Sequence, residues 1–118
     1  MRFFVQSQLY HQGIRNEVTH MEKEIYATVN HLEDYGCEYR FRPGQTVFLR
    51  RDENNPYDDE AISVHDDSGN KCGYVANSVS TVARGTFSAG RLLGMIRGER
   101  EARIEFILDG VLIVKLMD

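Results

Sequence analysis

Apolar and polar side chains alternate with a period of two along much of this 118-residue chain, the pattern of strands with one buried face. Ile25, Ala27 and Val29 fall on one face of the first such stretch, and Tyr26, Thr28 and Asn30 on the other. Tyr35-Gly36 reads as a turn. Arg42-Pro43-Gly44-Gln45 is a turn signal ahead of a strand at Thr46–Arg51, where Val47 and Leu49 oppose Phe48 and Arg50. Asn54-Asn55-Pro56-Tyr57-Asp58 breaks that strand. Alternation resumes over Ala61–His65, with Ile62 and Val64 inward and Ser63 and His65 outward. Asp66-Asp67-Ser68-Gly69-Asn70 holds residues that tolerate a left-handed backbone and reads as a hairpin loop returning into Lys71–Val75. Asn77 or Ser78 is placed to cap a short helix through Val82, ended by Gly85; Ser88 is placed to cap a second, Ala89–Ile96. Arg103–Leu108 alternates through Ile104, Phe106 and Leu108, and Gly110 turns the chain into a closing strand at Val111–Leu116. About six short strands with one or two short helices predict an all-β fold. A small antiparallel sheet curled into a barrel is the arrangement that removes exposed edges.

The first 23 residues depart from this rhythm. Phe3-Phe4-Val5 is followed by polar residues, and Asn16–Lys23 can form a helix with Glu17 and Lys23 exposed. Residues 1–23 are therefore set apart as an N-terminal extension, able to cover a sheet edge or to mediate dimerisation, from a domain at 24–118. The length suits one domain with a modest core, and 42% hydrophobic with 27% charged residues is a globular composition. Apolar runs are no longer than stretches such as Val111-Leu112-Ile113-Val114, so no membrane span is expected. The N-terminus lacks the apolar core and cleavage site of a signal peptide, which makes the expected location cytoplasmic. Cys37 and Cys72, far apart and outside any C-x-x-C motif, are then expected to be reduced thiols.

Catalytic chemistry finds no support in the residues. Thr86-Phe87-Ser88-Ala89-Gly90 departs from the nucleophile elbow at its first glycine and lacks an α/β context. No phosphate-binding glycine loop and no H-E-x-x-H is present. His31, His65, Cys37 and Cys72 match no zinc spacing, and the seven acids between 52 and 67 lack the register of a calcium loop. The expectation is a non-enzyme without metal or cofactor.

Net charge is −4, which argues against a general nucleic-acid coat. The charge is segregated, however. Arg40, Arg42, Arg50 and Arg51 face only Glu38 between 37 and 51; the acids follow, and Arg84, Arg91, Arg97, Arg100 and Arg103 restore positive charge beyond them. Taken alone, such blocks read as solvated strand faces and loop charges before they read as a binding surface.

One ordered set of residues goes further. A glycine turn at Pro43-Gly44, a strand, then Asn55-Pro56-Tyr57-Asp58, then Ala61-Ile62-Ser63-Val64, a loop, and Gly73-Tyr74-Val75 resemble the HIRAN domain family. The similarity extends over roughly 24–118. The resemblance implies an OB-like β-barrel that binds single-stranded DNA at a free 3′ end, in a repair or replication setting, alongside a separate helicase or nuclease. By position, Tyr57 would stack on the terminal base and Asp58 would accept a hydrogen bond from the 3′-hydroxyl. Asn55 would shape the pocket or touch a base, Tyr74 and Tyr35 would lend aromatic walls, and Arg50 would lend charge. Aromatic faces accept any base, and a carboxylate tolerates a hydroxyl while repelling a phosphate. The same residues also make a plain turn, with Pro56 fixing it, Asp58 capping it and Tyr57 plugging the barrel. Glu33-Asp34 stand where the family carries a basic or aromatic pair. With the net charge, they imply weak DNA binding, or a protein-interaction domain that keeps the barrel alone. Oligomeric state is left open.

Overall fold

The computed structural model describes residues 24–118; the helix expected at Asn16–Lys23 and the rest of the extension lie outside the described residues. Six strands form a closed antiparallel barrel: β1 (Tyr26–Asn30), β2 (Thr46–Arg51), β3 (Ile62–His65), β4 (Lys71–Val75), β5 (Glu99–Leu108) and β6 (Val111–Leu116). They are ordered β1-β4-β3-β2-β5-β6, with β6 returning to β1. The all-β barrel expected from the alternation is what forms. Its interior is filled by the predicted inward set, including Ala27, Val29, Val47, Leu49, Ile62 and Val64, all fully buried. Leu32 and Leu92 close it from outside the strands.

Several details differ from the alternation. Thr28, on the outer face of β1, is buried because the 83–87 segment lies over it. Its hydroxyl pairs with the Thr86 hydroxyl at 2.8 Å and accepts the Ala83 amide at 3.1 Å. Ser63 and His65 are buried as well, and bond to each other at 2.9 Å. β5 begins at Glu99, four residues earlier than expected, since pairing with β2 runs from Thr46↔Arg103 to Arg50↔Glu99. A bulge between Ile104 and Phe106 then reverses its faces. Ile104 is buried, whereas Phe106 and Leu108 are left exposed.

Of the two helices, the second forms in part: α1 (Ala89–Leu92) continues as one 3-10 turn, Leu93–Met95, and Ser88 caps it through the Arg91 amide. The first does not form. Residues 78–82 make one turn, with the Thr81 and Val82 amides both on the Ser78 carbonyl. The side chains explain this. The Asn77 carboxamide oxygen is taken by the Gly90 amide at 2.8 Å, and Ser78 bonds the Ser80 and Thr81 hydroxyls, local partners that compete with helix.

Candidate nucleic-acid interface

The ends of β1, β2 and β4 border a groove of about 770 Å³. Three local devices build its walls. After β1 the chain enters a 3-10 turn, Leu32–Tyr35, stopped by Gly36 in the left-handed region at φ 68°. Leu32 is the buried anchor of that turn and Tyr35 its exposed end. The turn seats closely because residue 73 has no side chain. A Cβ there would stand 2.6 Å from the Asn30 carbonyl oxygen and 3.2 Å from Leu32. The glycine of Gly73-Tyr74-Val75 is thus what lets β4 carry Tyr74 up beside Tyr35, ring centroids 6.3 Å apart.

The second device is the loop after β2. The Asn55 side-chain oxygen accepts the amides of Tyr57 at 2.9 Å and Asp58 at 3.0 Å, while its amide group donates to Asp52 at 3.3 Å. Asp58 accepts the Glu60 amide at 2.9 Å. Asn55 and Asp58 therefore do build a rigid turn, but Tyr57 plugs nothing: it is 93% exposed and lines the groove.

The third device is a polar triad. The Tyr74 hydroxyl donates to Asp52 at 2.7 Å and accepts from the Lys71 ammonium at 2.9 Å, which also stands 3.6 Å from Asp52. Bonding to the Tyr74 hydroxyl, aided by Asn55 and Lys71, holds the Asp52 carboxyl below its ordinary pKa against the effect of burial. The same hydroxyl raises Lys71 above its own. Burial and the neighbouring Tyr74 hydroxyl push the Tyr35 phenol upward. Tyr35 stays neutral at physiological pH, and Lys71 stays charged.

Five of the six residues named from the sequence meet here: Tyr35, Asn55, Tyr57, Asp58 and Tyr74. Arg50 does not. It lies on the outer face of β2, where its guanidinium holds Glu99 across the ladder at 2.9 Å. Arg40 is tied to Asp66 and Arg51 reaches Glu53, so the arginine cluster at 40–51 adds no charge to the groove. Among the described residues, Lys71 is the Lys or Arg that lines it, facing Asp34, Asp52 and Asp58. His31, at the turn's start, pairs with Asp34 at 2.9 Å, while Glu33 is exposed away from the groove. Asp52 and Lys71 were not singled out in the sequence, because they meet only through the β2-β3-β4 meander. No local pattern in the sequence marks either of them.

Elsewhere the fold buries Cys37, Cys72 and Asp66 together, with the exposed Arg40 reaching Cys37 and Asp66 from the surface. Burial and the neighbouring Cys37 sulfur push the Cys72 thiol up to about 12, so it is no nucleophile at neutral pH. Among the described residues no group of His, Cys, Asp and Glu is placed to hold a metal ion, and no helix is long and apolar enough to cross a membrane.

A model described as the HIRAN domain matches residues 26–105. The crystal structure of the HIRAN domain of human HLTF is 24% identical with a TM-score of 0.55, over 79% of this chain and 74% of that one. A crystal structure of a protein from Lactobacillus plantarum is also 24% identical, with a TM-score of 0.53 over 80% of this chain and 93% of that one. At this identity the likeness speaks to the fold. No curated protein matches the chain in sequence.

Proposed function

The chain belongs to the HIRAN domain family, and from that premise we propose that it is a DNA-binding module that takes the free 3′ end of a single strand into the tyrosine groove. The observation that carries the reading is Tyr57. A rigid Asn-Pro turn holds this aromatic ring almost wholly in water beside two further tyrosines, a placement that core packing does not reward. In this reading Tyr57 stacks on the terminal base, with Tyr35 and Tyr74 as the facing walls. Asp58 keeps one carboxylate oxygen on the Glu60 amide and offers the other to the 3′-hydroxyl. Asn55 spends its side chain on the turn and shapes the pocket without reading a base. Lys71 supplies the local positive charge. A binding module of this kind serves repair or replication by delivering a separate helicase or nuclease to the end.

The test is fluorescence anisotropy of a labelled oligonucleotide at low and physiological salt, comparing a free 3′-hydroxyl, a 3′-phosphate and a blunt duplex. The expected order is 3′-hydroxyl tightest, with the 3′-phosphate about ten-fold weaker or more, because a dianion beside Asp58 is repelled. Equal affinity for both ends would overturn the end-reading role of Asp58. One observation favours a second reading: the groove sets three aspartates against one lysine on a chain of net charge −4. Absence of DNA binding even at low salt would overturn the DNA reading and leave the protein-interaction barrel.

A further inference from the structure

Beside the tyrosine groove lies a second cleft, of about 370 Å³, bordered by Arg84 and Arg91. The turn at 77–82 is the ridge between them. Asn77 belongs to both; Ser78 and Thr81 face the groove, while Val79 and Val82 face the cleft. Its two cations differ from most others among the described residues. Arg40, Arg50, Arg51 and Arg103 each hold a carboxylate. Among the described residues, Arg84 and Arg91 hold none, although both are exposed. Arg91 is nonetheless held in place, because its guanidinium carbon lies 4.0 Å from the centre of the Phe87 ring.

Two unpaired guanidinium groups in a concave site, on a chain of net negative charge, form a local positive field. Their fork of donors matches phosphate oxygens. We propose that this cleft is a phosphodiester site for the strand whose end sits in the tyrosine groove. The chain crosses the ridge at Asn77, and Arg84 and Arg91 hold phosphates several nucleotides 5′ of the end. The inference rests on the reading of the groove given above. It explains how an acidic groove binds a polyanion: the groove recognises a neutral sugar terminus and a base, and the charge is met next door.

The experiment uses the full chain and 5′-fluorescein oligo-dT of three and of twelve nucleotides, both with free 3′-hydroxyls, across a salt series. The variants are Arg84→Gln/Arg91→Gln, Tyr57→Ala, and Arg42→Gln/Arg97→Gln, which removes the same charge from residues that border neither cleft. Wild type is expected to bind the 12-mer more tightly than the 3-mer. Arg84→Gln/Arg91→Gln should weaken the 12-mer about ten-fold at low salt and flatten its log–log salt slope by about 0.7 per arginine, leaving the 3-mer unchanged. An unchanged 12-mer with that variant, or an equal loss with Arg42→Gln/Arg97→Gln, overturns the phosphate site while sparing the groove. Loss of 12-mer binding in Arg84→Gln/Arg91→Gln but not in Tyr57→Ala would overturn the groove and keep the cleft. If wild type binds neither oligonucleotide, both fall.

Discussion

Two turns of this barrel use the same hydrogen-bonding device for opposite ends. In the hairpin between β3 and β4, Asp66 accepts the amides of Ser68 and Asn70 at 3.0 and 2.9 Å. In the loop between β2 and β3, Asn55 accepts the amides of Tyr57 and Asp58 at nearly the same distances. Asp66 is buried, and Arg40 and Asn70 also reach its second oxygen, so that turn hides its polar atoms and holds the fold. The Asn55 turn is equally well bonded, yet it lifts an aromatic ring and a carboxylate into water. A turn whose rigidity exceeds what its own burial requires is organised for something outside the chain. The contrast makes the first turn structural and the second a presenting platform.

The largest effect that separates them is on stability. Asp66→Ala deprives two amides and a guanidinium of their shared acceptor. It should cost about 2–3 kcal/mol, read as a lower urea midpoint at unchanged m-value, with DNA binding by the folded fraction unaltered. A loss below ~0.5 kcal/mol would mean that the hairpin holds itself. Tyr57→Ala should do the reverse. At 93% exposure its removal should leave the urea midpoint within about 0.5 kcal/mol. Affinity for a 3′-hydroxyl oligonucleotide should fall by about 1–3 kcal/mol. A variant that unfolds more easily yet binds normally would make Tyr57 part of the fold and end the comparison.

The division also explains what the sequence disclosed. Alternation placed β1, β2, β3 and most of β5, because a half-buried strand must set its apolar residues two apart, and the turns at 66–70 and Gly110 placed β4 and β6. Ser88 was legible as a cap, since capping is local. The exposure of Phe106 and Leu108 was not legible, because a one-residue bulge reverses faces without altering the pattern before or after it. The missing helix at 77–82 was hidden because Asn77 spends its side chain on the Gly90 amide, thirteen residues on. At the groove, five of six named residues converge, since four ride on two short ordered motifs and Tyr35 on the turn before Gly36. Arg50 stands apart because it faces outward on β2, beside Glu99 of the neighbouring strand β5. Asp52 and Lys71 escaped because neither carries a local mark.

The smallest test concerns two depressed carboxyls. Burial works to raise Asp66, but the amides of Asn70 and Ser68 and the Arg40 guanidinium outweigh it. Asp52 is lowered chiefly by the Tyr74 hydroxyl, so its depression belongs to the groove and not to the hairpin. A depressed carboxyl contributes stability above its unfolded pKa, about 3.9, and loses it as pH falls through the lower folded value. Tyr74→Phe removes the donor and returns Asp52 toward 3.9. At pH 7 the variant should be less stable by about 0.5–1 kcal/mol. The gap should hold down to about pH 5 and narrow as both carboxyls protonate toward pH 2, because a protonated Asp52 gains less from the hydroxyl than a carboxylate does. In Asp66→Asn the gap to wild type should also narrow in acid, but from a larger starting value, since more donors face that carboxylate. A Tyr74→Phe gap that stays constant from pH 7 to 2 would mean that the hydroxyl acts by packing alone. The groove would then lack the charge order around Lys71, and its claim to present a site beside the structural hairpin would rest on Tyr57 and Asp58 alone.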